Sequence, residues 1–133
     1  MDRRRYLVLC IGAALSGCLG STGTSIKGIT WLRLKNNRHN ARNIEVFIER
    51  DDEEVFREIY HLGTTSEQAS IRVDDPVEGP GRFSIYVDVG DQLAHLSPSE
   101  FTDTNLSDTC VGVRFTLHKN GTVGFDYEPI QEC

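Results

Sequence analysis

An all-β domain, an antiparallel β-sandwich of seven or eight short strands, is what this sequence predicts, and three observations carry the expectation. From Lys27 onward apolar and polar residues alternate, turn-forming clusters interrupt the alternation at short intervals, and no long stretch repeats with the helical period. A single hydrophobic core suits the roughly 105 residues involved.

The elements follow in order. Ile29 to Lys35 opens the domain, with Thr30, Leu32 and Leu34 on one face and Ile29 and Trp31 on the other. Asn43 to Arg50 alternates cleanly: Ile44, Val46 and Ile48 point one way, Glu45 and Glu49 the other. The acidic cluster Asp51-Asp52-Glu53 turns the chain into a third strand that supplies Val55, Phe56, Ile59, Tyr60 and Leu62, and the two strands form a hairpin. Ile71 and Val73 mark a short fourth strand closed by Asp74-Asp75-Pro76. After the loop Glu78-Gly79-Pro80-Gly81, the stripe Phe83, Ile85, Val87 and Val89 is the clearest inward face, with Ser84, Tyr86 and Asp88 opposite. A weaker segment spans Leu93 to Leu96. Val111, Val113, Phe115 and Leu117 then pair across Asn120-Gly121 with Val123, Phe125 and Tyr127. Asn-Gly between alternating runs predicts a type I′ turn, which needs positive φ at both central residues.

This pattern points to an immunoglobulin-like or transthyretin-like sandwich, with a small barrel as the alternative. The buried tryptophan and inter-sheet disulfide of antibody domains are not matched, because Trp31 lies in the first strand and the cysteines bracket the last hairpin. Trp31 reads as a core or edge aromatic, with a binding platform as its functional alternative.

The N-terminus carries a different signal. Asp2-Arg3-Arg4-Arg5 precedes a short apolar run, Tyr6 to Leu15, and then Leu15-Ser16-Gly17-Cys18. Basic, apolar and small-residue regions in that order describe a signal peptide. The run is about half the roughly 20 residues needed to cross a bilayer. Its end resembles the lipobox of lipoprotein signal peptides, with Leu15, Ser16 and Gly17 preceding the cysteine whose thiol takes the lipid. That resemblance implies cleavage before Cys18 and lipidation of Cys18. Arg3-Arg4 followed by Tyr6-Leu7 also resembles a twin-arginine export signal, whereas the arginines equally suit an ordinary Sec leader. The expected organisation is a signal peptide over 1–17, a lipidated cysteine and Gly/Ser-rich tether over 18–27, and the β-domain over 28–133. The expected location is the outer face of the cytoplasmic membrane, with membrane lipid as the partner of the anchor.

Cys10 leaves with the leader and Cys18 takes the lipid, so Cys110 and Cys133 remain for a disulfide in an oxidising compartment. With Asn120-Gly121 as the turn, Cys110 faces Gln131, and Cys133 is close to a diagonal neighbour. Without residues 1–17 the chain keeps 19 acidic and 11 basic residues, a net charge of −8. The lipobox, the paired arginines and this acidic β-domain together resemble the small uncharacterised lipoproteins of halophilic archaea; the mild acidity leaves a bacterial lipoprotein open.

Counting strands from the tether puts Asn36–Arg42, Gly63–Gln68 and Asn120-Gly121 at the end far from the membrane, and Asp51–Glu53 and both cysteines at the near end, provided that the weak strand near Leu93 exists. The far loop is the candidate binding surface. Arg33, Lys35, Arg38, His39 and Arg42 gather positive charge on an acidic protein, which suits an acidic glycan or an acidic surface protein. A solvated loop is the plain alternative, and the negative total charge argues against nucleic acid.

Other motifs carry less. Asp51-Asp52-Glu53-Glu54 lacks the spacing of a calcium loop and reads as a polar turn. His39, His61, His95 and His118 have no metal-ligand spacing, so no metal and no cofactor is expected. A nucleophile elbow is absent, which leaves only a dispersed triad for catalysis. Asn105-Leu106-Ser107 is a plausible glycosylation sequon, and Asn120-Gly121-Thr122 a less accessible one. The functional expectation is a non-catalytic binding or adhesion module of the cell envelope. The alternatives are an accessory subunit of an envelope or transport complex and, third, a small hydrolase.

Overall fold

The computed structural model describes residues 25–101, 109–130 and 133. The lipobox residues Leu15, Ser16, Gly17 and Cys18 and the sequon at Asn105 lie outside the described residues. The described residues contain eight strands: β1 (Gly28–Asn36), β2 (Arg42–Arg50), β3 (Glu53–Leu62), β4 (Ser70–Val77), β5 (Phe83–Asp88), β6 (Leu93–Leu96), β7 (Cys110–Leu117) and β8 (Val123–Ile130). They form two four-stranded sheets, in the orders β4-β1-β7-β8 and β3-β2-β5-β6. The architecture is all-β and sandwich-like, with one apolar core shared by both sheets.

The alternation explains that core. Leu32 and Leu34 on β1 and Val111, Val113, Phe115 and Leu117 on β7 are buried in one cluster with Ile44, Val46 and Ile48 on β2 and Phe83, Ile85 and Val87 on β5. In a strand successive side chains take opposite faces, so each such stripe commits one face of its strand to the core.

Four details differ from the sequence expectation. The first sheet is mixed, because β1 pairs parallel with β7 while every other pair is antiparallel. Both strands leave the same end of the molecule, a relation that alternation within each strand does not encode. Secondly, a bulge between Ile29 and Trp31 shifts the register of β1 against both neighbours. Ile29 therefore joins the core with Leu32 and Leu34, and does not share an outer face with Trp31. Thirdly, β4 runs through Asp74, Asp75 and Pro76 to Val77 instead of closing before them. It is an edge strand, where proline and a positive φ at Asp75 are tolerated.

The fourth concerns the hairpins. The β7–β8 turn is a three-residue loop: His118 N–H donates to Thr122 O at 2.9 Å, Gly121 N–H donates to His118 O, and Gly121 has φ +91°. Asn120 is not among the residues with positive φ, so this is the glycine-bulge hairpin and not the expected type I′ turn. Cys110 consequently faces Ile130, one position from the expected partner. The two-residue turn with positive φ at both positions is found at Asp51-Asp52 (φ 52° and 70°), between the paired residues Arg50 and Glu53. Asp51 is held there by Arg82, whose backbone N–H donates to the Asp51 carboxylate at 3.1 Å.

Because β6 is present, the last hairpin points to the same end as the β1–β2 loop. Cys110 and Cys133 are bonded at the opposite end, with Cα atoms 6.0 Å apart.

Candidate basic cleft

At the far end the loops are tied together by one buried side chain. Asn36, 3% exposed, donates from Nδ2 to Asn40 O and to Gly63 O, and its Oδ1 accepts from Arg38 N–H. The β1–β2 loop is thereby fastened to the β3–β4 loop across the gap between sheets. Arg38 continues the network: its guanidinium donates to Gly121 O at 2.7 Å and pairs with Asp91 at 3.3 Å.

These ties shape an open cleft of about 880 Å³ on the outer face of the first sheet. Its basic lining is Arg33 and Lys35 from β1, Arg38 and His39 from the β1–β2 loop, Arg114 from β7 and Lys119 from the β7–β8 turn. Asn37, Thr64, Ser66 and Ser70 supply amide and hydroxyl groups around it. Among the described residues no carboxylate lines the cleft. That is notable on a chain whose net charge is −6.

The residues expected to act together from sequence divide into two groups. Arg33, Lys35 and His39 do face one cleft. Arg38 borders it too, yet its side chain is almost fully buried and its two terminal guanidinium nitrogens donate to Asp91 and Gly121 O, so it braces the loops. Arg42 does not line the cleft; it pairs with Asp91 at 3.5 Å. Arg114 and Lys119 were not expected. Each stands far from the β1–β2 loop in sequence, and only the parallel pairing of β1 with β7 brings them beside Arg33 and Lys35.

Below the cleft, Arg33 lies opposite Arg72 on β4 and opposite Arg114 on β7. Three guanidiniums thus stand side by side across three strands. All three lie near the ring of Trp31, at 5.8 Å for Arg33, 5.4 Å for Arg72 and 5.8 Å for Arg114. Trp31 is 7% exposed and sits outside the core cluster, flattened against the backbone of Gly112. It is neither a core residue nor an open platform: the arginines cover it, and cation–π attraction orients them. Arg72 pairs with Asp74 at 2.8 Å and Arg114 with Asp126 at 3.5 Å. Arg33, in the middle, has no carboxylate partner among the described residues.

The other outer face has a different character. Phe47, Tyr86 and His95 are cross-strand neighbours stacked at 4.5 and 4.2 Å, and Arg57 caps Phe47 at 4.5 Å. Burial, followed by the Glu49 carboxylate, pushes the Tyr86 hydroxyl above its ordinary pKa. Hydrogen bonding to Glu54, and then to Glu45, raises that of Arg57. Ile59 and Leu93 are exposed here, at 63% and 55%, but Glu45 and Asp88 lie between them in the register, so they form no continuous apolar patch.

Fold and cleft together define a small all-β domain with, on one sheet, a basic cleft that no carboxylate lines among the described residues. No protein-family model, no curated protein and no solved structure matches the chain. Its function therefore rests on this geometry.

Proposed function

We propose that this protein is a lipid-anchored extracytoplasmic binding module that holds an acidic ligand in the cleft between Arg33, Lys35, Arg114 and Lys119. The observation that carries the reading is the cleft's lining: cations, amides and hydroxyls, with no carboxylate, on a net-acidic chain. Arg33, Lys35 and Lys119 have no carboxylate partner among the described residues, and cations clustered in that way favour an anion, while an acidic protein gains selectivity by confining them to one place. The anchor rests on Leu15-Ser16-Gly17-Cys18, and the far-end position of the cleft suits a domain held by its N-terminal side. Of the two expected sandwich types, the transthyretin-like one has the better support. β1 and β2 fall in different sheets here, whereas immunoglobulin domains keep their first two strands in one.

An accessory-subunit role is less supported, since Ile59 and Leu93 are separated by carboxylates and scattered exposed apolar residues are ordinary. Two measurements test the proposal. The full chain, despite its negative charge, should be retained on a carboxylate-bearing matrix at neutral pH, and Lys35→Gln with Lys119→Gln should abolish retention. Retention unchanged by that pair would remove the cleft from consideration. For the anchor, wild type should partition into the detergent phase and Cys18→Ser into the aqueous phase; equal partitioning would defeat the lipoprotein reading.

A further inference from the structure

We infer that the acidic ligand is a linear acidic polysaccharide, lying across the strands so that carboxylates on successive sugar rings meet Arg72, Arg33 and Arg114 in turn. The inference rests on the anion-binding reading of the cleft and names the ligand class for it.

The arginine row is the starting point. Like charges directly opposite one another on neighbouring strands are destabilising. Here three stand at one register position on β4, β1 and β7, with Arg33 and Arg114 lining the cleft and Arg72 beside it, and the two flanking carboxylates, Asp74 and Asp126, reach only the outer members. A chain with regularly repeated negative charge neutralises the unpaired Arg33 at the centre and adds a second carboxylate to each outer arginine. Neighbouring strands lie about 4.8 Å apart, close to the length of one sugar ring, so one carboxylate per ring matches one guanidinium per strand. Each guanidinium is a planar two-toothed donor that suits a carboxylate. All three lie within 5.8 Å of the Trp31 ring, and cation–π attraction to it limits their freedom, which lowers the entropy lost on binding.

The cleft wall favours a sugar over other polyanions. Thr64, Ser66 and Ser70 stand exposed along one side and Asn37 at the end, and each can both donate and accept hydrogen bonds, as sugar hydroxyls require. Polyphosphate offers acceptors only. Single-stranded nucleic acid binds largely by stacking bases on open aromatic faces. The one aromatic ring in this row, Trp31, is covered by the arginines themselves.

Calorimetric titration of the full chain in detergent, with galacturonate oligomers of increasing length, tests the arrangement. Affinity should rise about three- to tenfold with each ring up to three and then level off, each step corresponding to about 1 kcal/mol. Arg33→Gln, at the centre of the row, should flatten the length dependence, and Arg33→Lys, which keeps the charge but not the fork, should retain part of it. Arg57→Gln, on the opposite sheet, should change nothing. If monomer and longer oligomers bind equally, the row is not read by a chain, although the anion site stands. If no carboxylate compound binds at any length, both readings fail. If polyphosphate or oligothymidylate binds as tightly with the same length dependence, the polysaccharide assignment is overturned.

Discussion

Gly112 is the position at which one methyl group should undo the basic row. It lies on β7, between β1 and β8, where the backbone is hydrogen-bonded on both sides and cannot retreat. A Cβ built there falls 2.7 Å from Trp31 Cδ2 and closer still to Cε2 and Cζ2, all atoms of the rigid indole and not of a flexible tip. Gly112→Ala must therefore lift the ring away from the sheet. Removing a strand glycine normally gains about 0.4–1 kcal/mol by restricting the unfolded chain. Overpacking of this kind costs about 1–3 kcal/mol, and an indole buries about 150–250 Å². Losing roughly half of that contact, at about 25 cal/mol per Å², adds about 2–3 kcal/mol. The balance is a net loss of about 2–5 kcal/mol, or a fall in Tm of roughly 8–20 °C at about 4 °C per kcal/mol for a domain of this size. Thermal unfolding followed by circular dichroism and tryptophan fluorescence should show that fall together with a more solvated indole. The pairing is checked by a double-mutant cycle. With Trp31→Ala already in place the ring is gone, so adding Gly112→Ala should cost less than about 0.5 kcal/mol. A Tm within about 2 °C of wild type for Gly112→Ala, or strictly additive losses in the cycle, would refute the steric argument.

Further expectations concern the two ends and the opposite face. The Cys110–Cys133 bond closes a loop with a sequence separation of 23, worth about 3 kcal/mol in the chain-entropy account; Cys133→Ser should lower unfolding free energy in urea by about that amount. No change there would mean that the C-terminus is held without the bond. Asn36→Ala removes three hydrogen bonds from a buried position and leaves Gly63 O and Arg38 N–H without their side-chain partner, so stability should fall by about 2–3 kcal/mol. Faster amide exchange at Arg38 should accompany it; unaltered exchange would show that the loops hold without Asn36. The Tyr86 pKa lies above the ordinary 10.0 because burial and Glu49 favour the neutral phenol. The folded state therefore gains from Tyr86 at all pH values below 10.0, and that gain disappears as pH rises through the folded pKa. Burial raises the Tyr60 pKa as well, so ultraviolet difference titration should find one late-ionising phenol fewer in Tyr86→Phe than in wild type, and an equal number in both would contradict it.

Much of the fold was legible along the chain. The inward stripes Ile44-Val46-Ile48, Phe83-Ile85-Val87 and Val111-Val113-Phe115 are buried as their alternation requires, and the acidic turn at Asp51-Asp52 lies where the apolar pattern breaks. These are local properties: a period of two assigns faces without reference to any partner strand. The two turns show the limit of such reading. Asn120-Gly121 carries the stronger type I′ signal, yet the glycine-bulge loop is adopted there, with Leu117 paired to Val123, and the two-residue turn falls on two aspartates. The bulge at Ile29 is of the same kind: pairing with both β4 and β7 sets it, and it moves Ile29 across the sheet.

The candidate site divides in the same way. Arg33, Lys35 and His39 were visible as a local concentration of charge in a single loop and strand. Arg38 and Arg42 looked equivalent to them, and they are not, since Asp91, which braces both, comes from the β5–β6 connection. Arg72 and Arg114 are ordinary outward residues of their own strands. Their alignment with Arg33 over one tryptophan depends on the order β4-β1-β7, which is a fact about which strands meet. Alternation by itself determined which side of β2, β5 and β7 is wet. Beyond the hairpins, the tertiary structure alone decided which wet sides adjoin, because the pairing of β1 with β4 and β7 is made by backbone hydrogen bonds between segments far apart in the chain, and no local pattern of side chains names such a partner.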